Sequence, residues 1–98
     1  MTINKEKNGS TLTVGLSGRL DTSTSPELQK SITADLEEVN ELVMDLKELD
    51  YISSAGLRVL LSAHKKMSSK GGMTVINVSE TVMEVFDITG FSEILVIK

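Results

Sequence analysis

Cysteine and tryptophan are absent from this 98-residue chain, and proline and histidine occur once each, as Pro26 and His64. Without cysteine there is neither a disulfide framework nor a thiolate nucleophile, and a reducing compartment is compatible with that composition. One histidine and no cysteine also leave no transition-metal ligand set. Aromatic residues are scarce (Tyr51, Phe86 and Phe91), so aliphatic side chains and five methionines must fill the core. A chain of this length buries roughly 65% of the surface its unfolded form exposes, enough for one core and one domain, residues 1–98. No apolar run approaches the roughly 20 residues of a membrane-spanning helix. The polar start, Met1 to Asn8, lacks the apolar stretch of a signal peptide. A cytoplasmic location and no direct membrane insertion are the expectations.

Positive charge is short as well. The formal net charge is −4, whereas nucleic-acid binding needs a clustered basic surface, so nucleic acid is not an expected partner. The densest basic group, Lys65-Lys66 with Lys70, falls in the last turns of a helix, where cations complement the helix dipole. Gly71-Gly72 ends that helix and lacks the Gly-Lys-Ser/Thr tail of a phosphate loop.

What is present is a regular alternation of strands and helices. Met1 to Lys7 suits an edge strand, followed by a turn at Asn8-Gly9-Ser10. Thr11 to Ser17 alternates strictly, with Leu12, Val14 and Leu16 on one side, as in a strand with one face buried. Gly18-Arg19-Leu20-Asp21 leads out of that strand. A helix then starts near Thr24 to Pro26, either through a capping box of Thr24 and Glu27 or with Ser25 as cap and Pro26 at the first helical position. Leu28, Ile32, Leu36 and Val39 form its apolar stripe. Leu42 to Leu46 reads as an interior strand. Leu57, Leu60, Leu61 and His64 share one face of a second helix running to about Ser69. Met73 to Val78 is a strand, and Ser79 caps a short helix whose Val82, Val85 and Phe86 share a face. Gly90 stops it, and Ile94 to Ile97 reads as a last buried strand. The order β-β-α-β-α-β-α-β predicts an α/β fold with a mixed, mostly parallel sheet and right-handed crossovers. If successive strands are neighbours, the helices pack mainly on one face. The alternation in Thr11 to Ser17 agrees with that, and the apolar run Ile94 to Ile97 agrees only if its second face is covered.

The chain is organised around Leu49-Asp50-Tyr51-Ile52-Ser53-Ser54-Ala55-Gly56-Leu57, where a strand's exit loop becomes a helix N-terminus. A hydroxyl there can cap the helix, act in catalysis, or accept a phosphoryl group. Catalysis lacks a base: His64 lies ten positions beyond Ser54 on the same helix, roughly 15 Å away at 1.5 Å per residue. Asp21, Asp45 and Asp50 are the carboxylates from which a magnesium site is conceivable, but neither a metal nor any other cofactor is expected. Ser53 suits the N-cap, accepting a bond from a first-turn N–H and contributing about 1 kcal/mol. Ser54 then falls in the first turn.

Asp45-Leu46 followed by Leu49 to Leu57 closely resembles the signature of the STAS family, the bacterial anti-sigma factor antagonists. Gly18-Arg19-Leu20-Asp21, Gly71-Gly72 before a strand, and Phe86-Asp87-Ile88-Thr89-Gly90 match in the same order, so the resemblance spans essentially the whole chain. It implies a compact α/β domain and a cytoplasmic switch protein that is a kinase substrate rather than an enzyme. Unphosphorylated, such a protein binds an anti-sigma factor that is also a serine kinase. That kinase phosphorylates the serine two positions before the signature glycine, here Ser54, and a PP2C-type phosphatase reverses the modification. Two positions depart from the pattern: Ser53 stands where switch members often have Asp, and Ala55 where they often have Ser or Thr. Because parallel strands bring their C-terminal ends together, the expected partner surface combines the turns Gly18 to Ser25 and Ser53 to Gly56 with the region of Ser79. Asp21, Thr22, Ser53, Ser54, Ala55 and Gly56 are its expected contacts, and Val59 is expected to extend it as an exposed apolar residue. The alternative is a non-switching STAS interaction module of a transporter-associated or stressosome-like complex.

Overall fold

A computed structural model describes all residues 1–98. The hairpin β1 (Thr2–Asn8) and β2 (Thr11–Leu20) is antiparallel, turning at Gly9. Three crossovers follow: α1 (Ser25–Glu38) into β3 (Glu41–Ile52), α2 (Ser54–Met67) into β4 (Met73–Ile76), and α3 (Glu80–Thr89) into β5 (Val96–Ile97). The sheet order is β1-β2-β3-β4-β5, and every pairing after the first is parallel. Successive strands are thus neighbours, the condition for one-sided helix packing. Leu12, Val14 and Leu16 of β2 and Leu42, Met44 and Leu46 of β3 are buried on the helix side, against Leu28 and Ile32 of α1, Leu60 of α2 and Phe86 of α3. Thr11, Thr13, Val43 and Asp45 alternate with them on the opposite, half-covered face.

Both central strands run longer than the pattern predicts. β2 continues through Gly18-Arg19-Leu20, and β3 continues six residues past Leu46 to Ile52. The cause lies in the register. Gly15 faces Asp45 but Ser17 faces Glu48, and Gly18 faces Leu49 but Arg19 faces Tyr51, so β3 carries an extra residue at two places. Such bulges break the period of two while keeping the chain in the sheet. Leu46, Leu49 and Ile52 consequently all reach the core at a spacing of three.

The C-terminal expectation requires a larger correction. Phe91–Glu93 forms a 3-10 turn, and only Val96 and Ile97 are strand. Leu95 is buried, but Ile94 and Val96 are exposed. With β4 alone as neighbour, β5 is an edge, so its apolar run is not that of a buried interior strand. At the other edge, Lys5 and Lys7 of β1 reach Asp35 and Glu38 of α1. Lys70 donates to the carbonyls of Leu36, Glu37 and Val39, satisfying the free C-terminal acceptors of α1 rather than of its own helix. Lys66 pairs with Glu37, and both the Lys66 ammonium and the bond it donates hold the Glu37 carboxyl below its ordinary pKa. The basic group is thereby largely structural.

Candidate functional site

β2 and β3 end level with one another, Leu20 opposite Ile52, and the Ser53 N–H donates to the Leu20 carbonyl at 2.9 Å. The two strand-to-helix turns therefore lie side by side, and α1 and α2 start from them. Gly56 makes the second start possible. A Cβ there would lie 2.8 Å from Leu20 Cγ and 2.9 Å from Ile52 Cγ1, so only glycine lets α2 settle onto the strand ends without displacement. The third turn is not part of this cluster. β4 stops at Ile76, opposite Asp45, seven residues of extended chain short of Ile52, or roughly 20 Å. Ser79 there caps α3, its hydroxyl accepting the Val82 N–H at 3.2 Å.

In the first turn every polar side chain from Asp21 to Ser25 except Thr22 serves the fold. The Asp21 carboxylate accepts the Ser23 N–H (3.0 Å), the Ser23 hydroxyl (2.9 Å) and the Thr24 N–H (3.1 Å). Hydrogen bonds from the Ser23 hydroxyl first, and then from the Thr24 N–H, hold its carboxyl below the ordinary value of 3.8. The Thr24 hydroxyl accepts the Asp21 N–H at 2.8 Å and directs its hydrogen to the Arg19 carbonyl and the Asp21 carboxylate. Neither expected cap operates. Thr24 occupies the N-cap without a side-chain cap bond, and Ser25, already helical, donates its hydroxyl back to the Asp21 carbonyl. The organising residue is Asp21, three positions earlier. Arg19 stands over the Tyr51 ring at 4.1 Å, with its Nε 3.7 Å from the Asp21 carboxylate.

The second turn is the reverse case. Ser53 occupies the N-cap of α2 in extended conformation, but its side chain makes no cap bond. Its Oγ is buried and has no protein partner, so the expected capping bond is absent. Ser54, the first helical residue, is exposed, and Ala55 beside it is half-covered. Val59 corrects the expectation of an exposed apolar contact: it is 8% exposed and packs with the core. Its place one turn beyond Ala55 turns it toward α1, where it forms the wall of a groove instead of a free patch. That groove, of about 540 Å³, runs between the first turns of α1 and α2. Thr22, Ser25 and Pro26 line one side, and Ala55, Arg58 and Val59 the other. Arg58 is its only charged residue.

The structure thus brings together Asp21, Thr22, Ser53, Ser54, Ala55 and Gly56, keeps Val59 beneath them, and leaves Ser79 apart. Asp45 lies a strand's length away from that end, hydrogen-bonded to Asn77, and no three His, Cys, Asp or Glu side chains gather as a metal-binding group. His64 is half-buried at the far end of α2. Arg58, which sequence reasoning passed over, was legible as the cation one turn beyond Ser54.

A family model described as the STAS domain matches residues 2–98. The chain is similar to the putative anti-sigma factor antagonist BtrV of Bordetella bronchiseptica, 33% identical over 96 residues that cover 96% of this chain and 83% of that one. It is similar also to the anti-sigma-B factor antagonist of Bacillus subtilis, 29% identical over 94 residues, covering 95% and 86%. Among solved structures, an anti-sigma factor antagonist from Mycobacterium paratuberculosis matches with a TM-score of 0.88 at 25% identity, over 98% of this chain and 83% of that chain. No helix of the chain is long and apolar enough to cross a membrane.

Proposed function

The chain belongs to the STAS domain family, and from that premise we propose that it is a cytoplasmic anti-sigma factor antagonist switched by phosphorylation of Ser54. Unmodified, it binds an anti-sigma factor with serine kinase activity through the paired turns at the ends of β2 and β3. Phosphorylated, it releases that partner until a PP2C-type phosphatase restores the hydroxyl. It acts by binding, with no catalytic step of its own.

One observation carries this reading beyond the names of the relatives. At the paired turns, Ser54 is exposed at the first position of α2, and no fold hydrogen bond occupies its side chain. A phosphoryl group adds about −1.5 to −2 charges. At a helix N-terminus the dipole favours that charge, so the helix persists. The switch then works at the interface, where bulk and charge meet a surface shaped for a neutral hydroxyl.

The test is mass spectrometry after incubation with serine-kinase anti-sigma factors of the same organism. A single phosphoryl group on wild type, absent from Ser54→Ala, is expected, together with amide spectra unchanged away from the turn. Undiminished phosphorylation of Ser54→Ala, or loss of α2 in the phosphoform, overturns the proposal.

A further inference from the structure

Arg58 has no fold role to explain it. The ion pairs of the chain engage Lys5, Lys7, Arg19 and Lys66, leaving Arg58 exposed and unpaired. It stands four residues after Ser54 in α2, and side chains at that spacing meet on one helix face. The first turn of α2 contains no acidic residue to compete for it. Its neighbours across the groove, Thr22, Ser25 and Pro26, are neutral. Arg19, the other cation near these turns, already faces Tyr51 and Asp21. The remaining cations of α2 lie in its last turn, where Lys66 is held by Glu37.

We propose that Arg58 is the internal counter-ion of phosphorylated Ser54, closing an i,i+4 guanidinium–phosphate pair along α2. The guanidinium fork matches phosphate oxygens in geometry as well as charge. Closure does more than neutralise the new group. It withdraws the single charge that the α1–α2 groove presents, so modification alters two features of the surface at once: a hydroxyl becomes a phosphate, and a free cation becomes an ion pair. The inference rests on Ser54 being the modified residue.

The test installs phosphoserine at position 54 during translation, so that no kinase is needed, and follows the phosphate titration by phosphorus NMR. Arg58→Gln is expected to raise the second phosphate pKa by about 0.2 to 0.4 units, because the nearby cation favours the dianion. Arg58→Lys retains part of the wild-type effect, and Lys65→Gln, the same charge change at the far end of the helix, leaves the pKa in place. The difference shrinks in 1 M salt, where the screening length falls to about 3 Å. In the wild-type protein itself, the Arg58 Nε–H resonance shifts on modification and the Arg19 resonance does not. Equal pKa values for wild type and Arg58→Gln, an equal shift from Lys65→Gln, or a stationary Arg58 resonance overturns the pair. Failure of kinases to modify Ser54 would sink the proposed switch while leaving this measurement intact.

Discussion

The two turns at the C-terminal end of the sheet have the same position, the same strand-to-helix geometry and similar small polar residues, yet they use those residues in opposite ways. In the turn from β2 to α1, Asp21, Ser23, Thr24 and Ser25 are tied into one hydrogen-bonded knot. In the turn from β3 to α2, neither serine side chain bonds to the fold, and one of them is a buried hydroxyl without a partner. Buried polar groups in folded proteins are ordinarily satisfied, so the contrast is that the first turn leaves only the exposed Thr22 outside its bonds, whereas the second leaves both serines outside them, one of them buried. The first turn holds the platform in shape, and the second leaves its chemistry available. Both rest on a common apolar base, Leu20 and Ile52 beneath Gly56.

Breaking the shared base has the largest expected effect. Leu20 is fully buried, and Leu20→Ala should cost about 2–5 kcal/mol through lost burial and a cavity. Urea unfolding measures it. The same substitution sharpens the role of Gly56. In the wild-type background Gly56→Ala crowds Leu20 and Ile52 and destabilises, since overpacking of about 1–3 kcal/mol outweighs the roughly 1 kcal/mol that Ala gains over Gly in a helix. With Leu20 already cut to Ala its contacts with the new methyl are gone and only the Ile52 contact at 2.9 Å remains, so the double mutant is more stable than the two single effects predict by addition. Strict additivity would mean that Gly56 is there for some reason other than close packing.

The knot itself is the next target. Asp21→Asn keeps an acceptor oxygen and removes the charge, so it isolates what the carboxylate contributes to the first turn. The folded pKa of Asp21 lies below 3.8, so the unfolded chain binds the proton more readily than the native protein. Its stabilisation is complete above about that value and is lost as the pH falls through the folded pKa. Asp21→Asn is therefore less stable than wild type near neutrality, and the two converge in strong acid. A difference independent of pH would assign the effect to shape rather than charge.

Ser53 reverses the usual sign. Removing an N-cap serine ordinarily costs about 0.5–2 kcal/mol. Here the hydroxyl caps nothing and is buried without a protein partner, and a buried hydroxyl left unbonded costs roughly 1–3 kcal/mol on mutational scales. Ser53→Ala should leave stability unchanged or raise it by up to about 1 kcal/mol, read by thermal denaturation. A loss as large as that of an ordinary cap would erase the contrast between the two turns.

Much of this arrangement is legible in the amino-acid pattern. Leu12, Val14 and Leu16 announce a one-sided strand, Leu28, Ile32 and Leu36 a helix face, and the Ser53 to Gly56 run a helix start. What the pattern hides is non-local. The spacing of three in Leu46, Leu49 and Ile52 fits neither strand nor helix period, because it is set by bulges that exist only in pairing with β2. Val59 looks like a free apolar residue until α1 is laid beside it, and Ile94 to Ile97 looks buried until the sheet is seen to end there. Asp21 organises the turn from three residues before the N-cap, accepting the Ser23 and Thr24 N–H groups in an Asx-type turn instead of capping the helix.

The smallest effect on the fold belongs to the residue with the largest proposed effect on function. Ser54 is exposed and its side chain bonds to nothing in the fold, so Ser54→Ala should change stability by no more than about 0.5 kcal/mol. The same substitution should abolish the proposed phosphorylation by a partner kinase while leaving the unmodified contact surface nearly intact. Ser54→Asp, which brings permanent charge to the same position, should bind that partner more weakly than either wild type or Ser54→Ala, as measured by calorimetric titration. If Ser54→Ala destabilised the protein as much as Asp21→Asn does, the hydroxyl would have a fold role after all, and the two turns would be alike. If Ser54→Asp bound as tightly as wild type, charge at that position would not gate the interface. Only stability without Ser54 and binding lost with charge in its place together make the second turn the switch and the first its support.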